Sequence, residues 1–413
     1  MKKILSAILC IAAILLACPF AYADNNSSEE YPFVFVHGMM GWGEYQKLDS
    51  FMPYWGTTSG DVLGYLEKQG YDVCSVTLGG VSSAWDRACE LYAQLTGTRV
   101  DYGKAHSEEH GHARFGRSYD KKLCESFGTT DKNGKINKVN LVGHSMGGVT
   151  VRLFASILEY GVPEEIAAGG DTSDFFKGGK GDYIHSISCV SAPHNGSLAA
   201  DLDNFAYVNL ILNGYYYMAG MIGNTALRPL WDPMLDQFGF SDCPETGVDG
   251  DFSKELIEKM IASEDSAYYD LTLKGASEIN KKIKLVDGVY YYSYYSECVF
   301  EGPVSGRLYP EPTLNPIFIP VALKICNYED TEIAGYEIGD DWRLNDGIVS
   351  AASARYPEGD PHTQYNPENV KAGIWNVMPM ENSMDHTDYM GVFCNPVEIR
   401  KFYLGVCENA CKY

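Results

Sequence analysis

The stretch KVNLVGHSMGGVTVRLFASILEY, residues 138–160, constrains the fold more than any other part of the chain. Its first part is apolar and β-branched and reads as a buried strand. In its second part Val149, Leu153, Phe154, Ile157 and Leu158 recur at helical spacing. Between them GHSMG, residues 143–147, must turn the chain from strand to helix within a few residues. A turn that tight is crowded on both sides of its central serine, and Gly143 and Gly147 carry no side chain to fill it. The serine hydroxyl then stands at the end of a strand, facing the positive N-terminal end of the helix that follows.

Other segments repeat this alternation. YPFVFVHG (31–38), YDVCSV (71–76), YIHSISCVSAPH (183–194) and VYYYSYYS (289–296) read as apolar strands, with amphipathic stretches such as DVLGYLEKQG between them. Strands that are apolar throughout and alternate with helices indicate an α/β protein, its mostly parallel central sheet covered by helices on both faces. The rhythm breaks between about 196 and 275. That region reads as a lid or insertion within a single domain spanning 24–413.

Residues 1–23 have the layout of a signal peptide. Lys2 and Lys3 precede an apolar run at 4–17, and AYA at 21–23 offers a cleavage site before Asp24. The expected product is secreted. No transmembrane segment is expected beyond it: FAYVNLILNGYYYMAGMIG (205–223) is uncharged but interrupted by Asn, Gly and several Tyr. A formal charge of −23 repels phosphates, so no nucleic-acid partner is expected, and anionic membranes are disfavoured in the same way. Twelve cysteines, ten of them after residue 23, permit disulfides in an exported protein, but their spacing assigns no pair. Nothing in the pattern speaks to oligomeric state.

A serine hydroxyl becomes a nucleophile only when a base takes its proton. The turn described above belongs to a fold whose partners follow in the order serine, acid, histidine. The histidines after Ser145 are His185, His194, His362 and His386. The first two bracket a probable central strand and read as structural, and His362 lies in the turn-rich EGDPHTQYNP. His386, in NSMDHTDYMG near the C-terminus, stands where the base belongs. Asp346 in WRLNDGIVS is the candidate acid, with Asp340 and Asp341 as nearby rivals. The glycine-rich HGMMGWG (37–43) follows the first strand. It nominates the backbone N–H groups of Met39 and Met146 as donors to an oxyanion. HSEEHGH (106–112) holds three histidines in seven residues, which taken alone fits a solvated loop or a metal site.

Several stretches together resemble one family: HGMMGWG, YWG (54–56), SSAWDRACELYAQL (82–95), VDYGKAHSEEHGHARFGRSY (100–119), GHSMGG, SAPHNG, WRLNDGIVS and MDHTDYMG. They are similar to the secreted bacterial lipases of the staphylococcal and Bacillus/Geobacillus type, over about residues 31 to 405. The long histidine-bearing run is more specific than the serine turn. One departure is Gly143, where that family usually has alanine.

The resemblance implies an α/β-hydrolase fold and triacylglycerol lipase activity, with Ser145 as nucleophile, Asp346 as acid and His386 as base. The substrate implied is a lipid ester at a lipid–water interface. It also implies a structural zinc held by Asp86, His106, His112 and Asp265, with no ligand role for His110. Zinc takes four such nitrogen and oxygen ligands tetrahedrally. Members often bind calcium near the catalytic histidine. Here Asp388 fills one expected ligand place, but Phe393 stands at another and cannot coordinate, so calcium is expected to be weak or absent. Segment 205–223 occupies the place of the family's lid helix. The rival expectations are a soluble carboxylesterase on short-chain esters, and a non-catalytic binding protein built on the same scaffold.

Overall fold

A computed structural model describes residues 31–202, 230–238 and 262–413. The signal-peptide segment 1–23, the lid segment 205–223 and most of the 196–275 insertion therefore lie outside the described residues.

The core of the fold is a seven-stranded sheet. Its strands are β1 (Phe33–Val36), β2 (Val73–Ser75), β3 (Val139–His144), β4 (Ile184–Val190), β5 (Tyr290–Tyr294), β6 (His362–Gln364) and β7 (Trp375–Val377). They lie in the order β6-β7-β5-β4-β3-β1-β2, and every pairing is parallel. The four further strands expected from sequence and the serine-bearing strand all form, somewhat shorter than their apolar runs. Two edge-side strands were not foreseen. His362 sits on one of them, β6, rather than in a loop. These strands are three residues long and carry polar residues, so no apolar run announced them.

Alternation along the strands divides the core in two. Val34, Val36, Leu141 and Ile187 face one layer, built with helix α1 (Ala84–Thr96) and helix α3 (Met146–Tyr160). Phe33, Phe35, Val142, Val190, Tyr292 and Tyr294 face the other, against helix α5 (Pro396–Cys411), which supplies Ile399, Tyr403 and Val406. Burial on both faces explains why β1 is apolar at every register position rather than at every second one, and why every residue of β3 is buried.

Three local features matter for the site. α1 begins at Ser83, whose side chain accepts the Asp86 N–H, and ends at Gly97 in the left-handed region with φ 65°. The histidine-rich stretch is helical, α2 (Lys104–His110), closed by Gly111 at φ 71°. Glu165 caps its start by accepting the Ala105 and His106 N–H groups at 3.0 and 2.8 Å. A short helix α4 (Ala267–Leu271) opens at Ser266, directly after Asp265. Among the described residues, Cys74, Cys89, Cys124, Cys189, Cys298, Cys326, Cys394 and Cys407 are free thiols.

Candidate active site and metal centre

β3 ends at His144, and α3 begins at Met146. Ser145 alone makes the corner, with φ 55° and ψ −128°. A side chain rarely adopts this conformation, which costs about 1–3 kcal/mol and persists only where the surroundings fix it. Here they do. The Ser145 N–H donates to the Val190 carbonyl at 2.9 Å, tying the corner to β4. A Cβ on Gly143 would meet the Gly147 carbonyl at 2.5 Å, and one on Gly38 would meet the Ser145 Cβ at 2.8 Å. A Cβ on Gly147 would strike the Val36 carbonyl. The glycine spacing seen in the sequence is thus a steric requirement of the corner.

Asp346 and His386 meet directly. The His386 Nδ1 lies 2.7 Å from Asp346 Oδ2, and the His386 N–H donates to the Asp346 carbonyl at 2.9 Å. The Asp346 carboxylate also accepts the N–H groups of Val349 at 2.8 Å and Ile348 at 3.2 Å through Oδ1. Both side chains are buried. The His386 ring stands against that of His144, the residue before Ser145, with centroids 4.7 Å apart. His144 Nε2 reaches the His386 carbonyl at 3.2 Å.

Ser191 was not singled out from the sequence. It follows β4, on the strand next to the serine corner, and has φ 46°. Its hydroxyl donates to Asp346 Oδ2 and lies 3.3 Å from His386 Nδ1. A signal was present, since SAPHNG directly follows an apolar strand adjoining the serine strand, where parallel sheets place their sites.

A buried chain of donors fixes the loop after β1. The Gly38 N–H donates to the Tyr54 hydroxyl at 2.9 Å, and Tyr54 reaches His144 Nδ1 at 2.7 Å. The Leu78 N–H donates to His37 Nε2 at 3.0 Å, so His37 carries its proton on Nδ1, 2.8 Å from the Gly38 carbonyl. Burial, aided by the Arg87 charge, pulls His37 down to about 3 and keeps it neutral. Arg87, fully buried on α1, donates to the carbonyls of His37 and Gly79 and to the Thr150 hydroxyl. Among the described residues, neither the Met39 nor the Met146 N–H donates to a protein acceptor.

The four expected metal ligands also come together, from segments far apart in the chain. Asp86 lies in the first turn of α1, His106 on α2, His112 just after it and Asp265 just before α4. One ligand atom from each lies within 4.8 Å of all the others. His106 Nε2 is 3.3 Å from Asp86 Oδ1 and 3.5 Å from Asp265 Oδ1, and His112 Nε2 is 3.2 Å from Asp265 Oδ2. Asp86 Oδ1, Asp265 Oδ2 and both Nε2 atoms are buried without a hydrogen-bond partner. His112 Nδ1 lies 2.9 Å from the Ala113 carbonyl, to which it donates, leaving a lone pair on Nε2. Two imidazole nitrogens and two carboxylates that converge with no partner among themselves fit a divalent cation such as zinc. Gln237 Nε2 holds Asp86 Oδ2 at 2.7 Å, and the Trp85 ring stacks on His106 at 4.9 Å. With protein groups alone, burial would lower His106, but the facing Asp265 and Asp86 carboxylates outweigh that and hold it at about 9. His110 stays outside the cluster, its ring 4.5 Å from that of His106 and half-buried rather than on an exposed loop.

Asp388 is turned into its own loop, its carboxylate accepting the Asp385 N–H at 2.8 Å. Phe393 projects into solvent.

A parallel sheet, a strained serine between strand and helix and a histidine–aspartate pair beside it define an α/β-hydrolase. The chain belongs to the family described as "Lipase-like, C-terminal domain", whose model matches residues 29–412, and so to the staphylococcal and Bacillus-type bacterial lipases. Lipase 2 of Staphylococcus aureus is 34% identical over 391 residues, covering 92% of this chain and 54% of that protein. The Staphylococcus hyicus lipase is 33% identical over 401 residues, 93% of this chain and 58% of that protein. The chain therefore spans about half the length of the curated relatives it matches. Among solved structures it is similar to EstA from Clostridium botulinum, with TM-score 0.79 and 33% identity over 93% of this chain and 88% of that one. Lipase 1 from Pelosinus fermentans matches with TM-score 0.77 and 33% identity, covering 93% and 99%. The chain is thus a relative of bacterial lipases that carries a cluster suited to a metal ion.

Proposed function

We propose that this chain hydrolyses carboxylic esters of acylglycerols at a lipid–water interface, with Ser145 as nucleophile, His386 as base and Asp346 as its partner. The observation that carries the reading is Ser145 in its strained corner, directly after His144, whose ring packs against a histidine whose Nδ1 is bound by a buried carboxylate. His386 takes the Ser145 proton as Ser145 attacks the ester carbonyl, then returns it to the leaving alcohol. Water, deprotonated by the same imidazole, releases the fatty acid. Asp346 fixes the tautomer and stabilises the imidazolium. The unengaged N–H groups of Met39 and Met146 receive the oxyanion, and one such donor contributes about 3 kcal/mol to the transition state.

The cluster of Asp86, His106, His112 and Asp265 is assigned to a structural zinc, because its four ligands are all protein side chains and leave no open position. Zinc there fixes α1, α2 and the start of α4 to one another. Residues 1–23 are assigned to export. Among the described residues no helix is long and apolar enough to cross a membrane.

The test is a Ser145→Ala variant beside wild type, assayed on esters of two to eighteen acyl carbons and with a serine-directed phosphonate. Wild type is expected to hydrolyse emulsified long-chain esters and to take up the phosphonate, and the variant to do neither. A variant as active as wild type sinks the assignment. Rates that peak on short soluble esters and fall on emulsions favour the short-chain esterase.

A further inference from the structure

Beyond β5 the chain forms a hairpin, Val299–Glu301 paired with Leu308–Pro310, followed by a helix, Ile319–Cys326, that packs beside the second strand. The base of this unit is bonded to both loops of the candidate site. The Cys298 N–H donates to the Asn345 carbonyl at 2.8 Å, one residue before Asp346. The Asn315 N–H donates to Asp385 Oδ2 at 2.7 Å and its side chain to the Thr387 hydroxyl at 3.1 Å, on either side of His386.

The unit also holds apolar side chains in water. Val304 is 99% exposed at the hairpin tip, Phe300 is exposed on its first strand, and Ile319 and Leu323 are exposed one turn apart on the helix. The tip is not a loose loop. The Gly302 N–H donates to the Arg307 carbonyl at 2.8 Å, and the Gly306 N–H to the Gly302 carbonyl at 2.9 Å. Ser305 and Tyr309 hydroxyls meet at 3.2 Å. Phe300, Pro303, Val304 and Tyr309 line an open depression of about 400 Å³ there. A rigid turn that holds a valine fully in water is the kind of exposed apolar feature that marks an interaction surface.

Charge indicates what it meets. On a chain of net charge −23, the stretch 299–326 carries Arg307 and Lys324 against Glu301 and Glu311, and so is neutral overall. A second copy of so acidic a chain is repelled, and so is an anionic bilayer. An uncharged lipid surface accepts the exposed apolar side chains and meets no repulsion.

We propose that the hairpin Val299–Pro310 and the helix Ile319–Cys326 dock the protein on a neutral lipid surface and hold that surface beside the loops of Asp346 and His386. This rests on the lipid-ester reading above. The test uses the full chain, as wild type, Val304→Asp and Phe300→Ser, none of which touches the candidate catalytic groups. It measures flotation with triolein droplets, flotation with phosphatidylcholine vesicles with and without phosphatidylglycerol, and hydrolysis of soluble p-nitrophenyl butyrate.

Wild type is expected to float with triolein and neutral vesicles and to lose vesicle binding as phosphatidylglycerol is added. Each variant is expected to lose roughly tenfold or more in partition, the size of one lost apolar side-chain burial, with butyrate hydrolysis unchanged. Variants that float like wild type overturn the proposal, as does a wild type that does not float. A concentration-dependent dimer in sedimentation, abolished by Val304→Asp, also overturns it in favour of a second copy. Variant-sensitive flotation by a wild type that hydrolyses no ester supports the docking surface and refutes the ester reading instead.

Discussion

The carboxylate of Asp346 and the imidazole of His386 are 40 residues apart in sequence and 2.7 Å apart in space, and the backbones of the two residues are bonded as well. The double attachment fixes the ring's position and its tautomer together. Asp346→Asn preserves the shape but offers Nδ1 an amide in place of a carboxylate. We expect kcat on a soluble ester to fall about ten-thousand-fold with little change in KM. A loss below tenfold would show that Asp346 does not serve as the acid. Asp340 and Asp341, its rivals in sequence, are instead paired with Arg343 at 2.6 Å and Arg355 at 2.5 Å.

Ser191 donates to the same carboxylate oxygen that holds His386. Ser191→Ala removes a hydrogen bond to a charged group, worth about 1.5–3 kcal/mol. The expected result is a kcat lower by roughly ten- to a hundredfold at unchanged KM, with Tm lowered by about a few degrees. Equal kcat in the two proteins would limit Ser191 to a packing role.

The cluster of Asp86, His106, His112 and Asp265 is remote in sequence from Ser145 but is tied to the loop after β1 through α1. Arg87, next to Asp86 on α1, donates to the His37 carbonyl, two residues before Met39. Elemental analysis of the purified protein should find one zinc per chain. Its removal by chelation should lower Tm first, with ester hydrolysis at low temperature declining later. If elemental analysis confirms removal and Tm does not move, the cluster is not a structural metal site.

Stability should fall on acidification because of buried neutral histidines. Burial holds His37 at about 3, and His144 and His194 also lie well below the ordinary histidine value. The unfolded chain takes up protons on these rings below about pH 6.5 while the folded chain does not. Their stabilising contribution is therefore present above pH 6.5 and is lost as pH falls toward 3, by up to about 1.4 kcal/mol per pH unit for each ring. Denaturant unfolding at pH 7.5 and pH 5 should show the loss, and His37→Asn should reduce the slope. Identical slopes in the two proteins would mean that His37 does not remain neutral in the fold.

The sequence by itself determined those features whose physics is local. Apolar runs too short and too uniform for one-sided strands required a sheet buried on both faces, and β1, β3, β4 and β5 follow from that. GHSMG required the corner, since only glycines at 143 and 147 clear the Val36 and Gly147 carbonyls. The motifs and the family resemblance they carry also pointed to the residues of the candidate triad and to the four candidate metal ligands, which the fold brings together. What the tertiary structure decided was which groups meet. Strands β6 and β7 form because β5 presents an open edge on which β7 and then β6 pair, three-residue segments too short to announce themselves in the sequence. HSEEHGH becomes a helix because Glu165, more than fifty residues later, caps it. Ser191 meets Asp346, and Asp346 rather than Asp340 or Asp341 meets His386, through contacts that no spacing along the chain encodes. Backbone preference acts over a few residues, whereas a hydrogen bond between distant segments exists only once the sheet has brought their ends together.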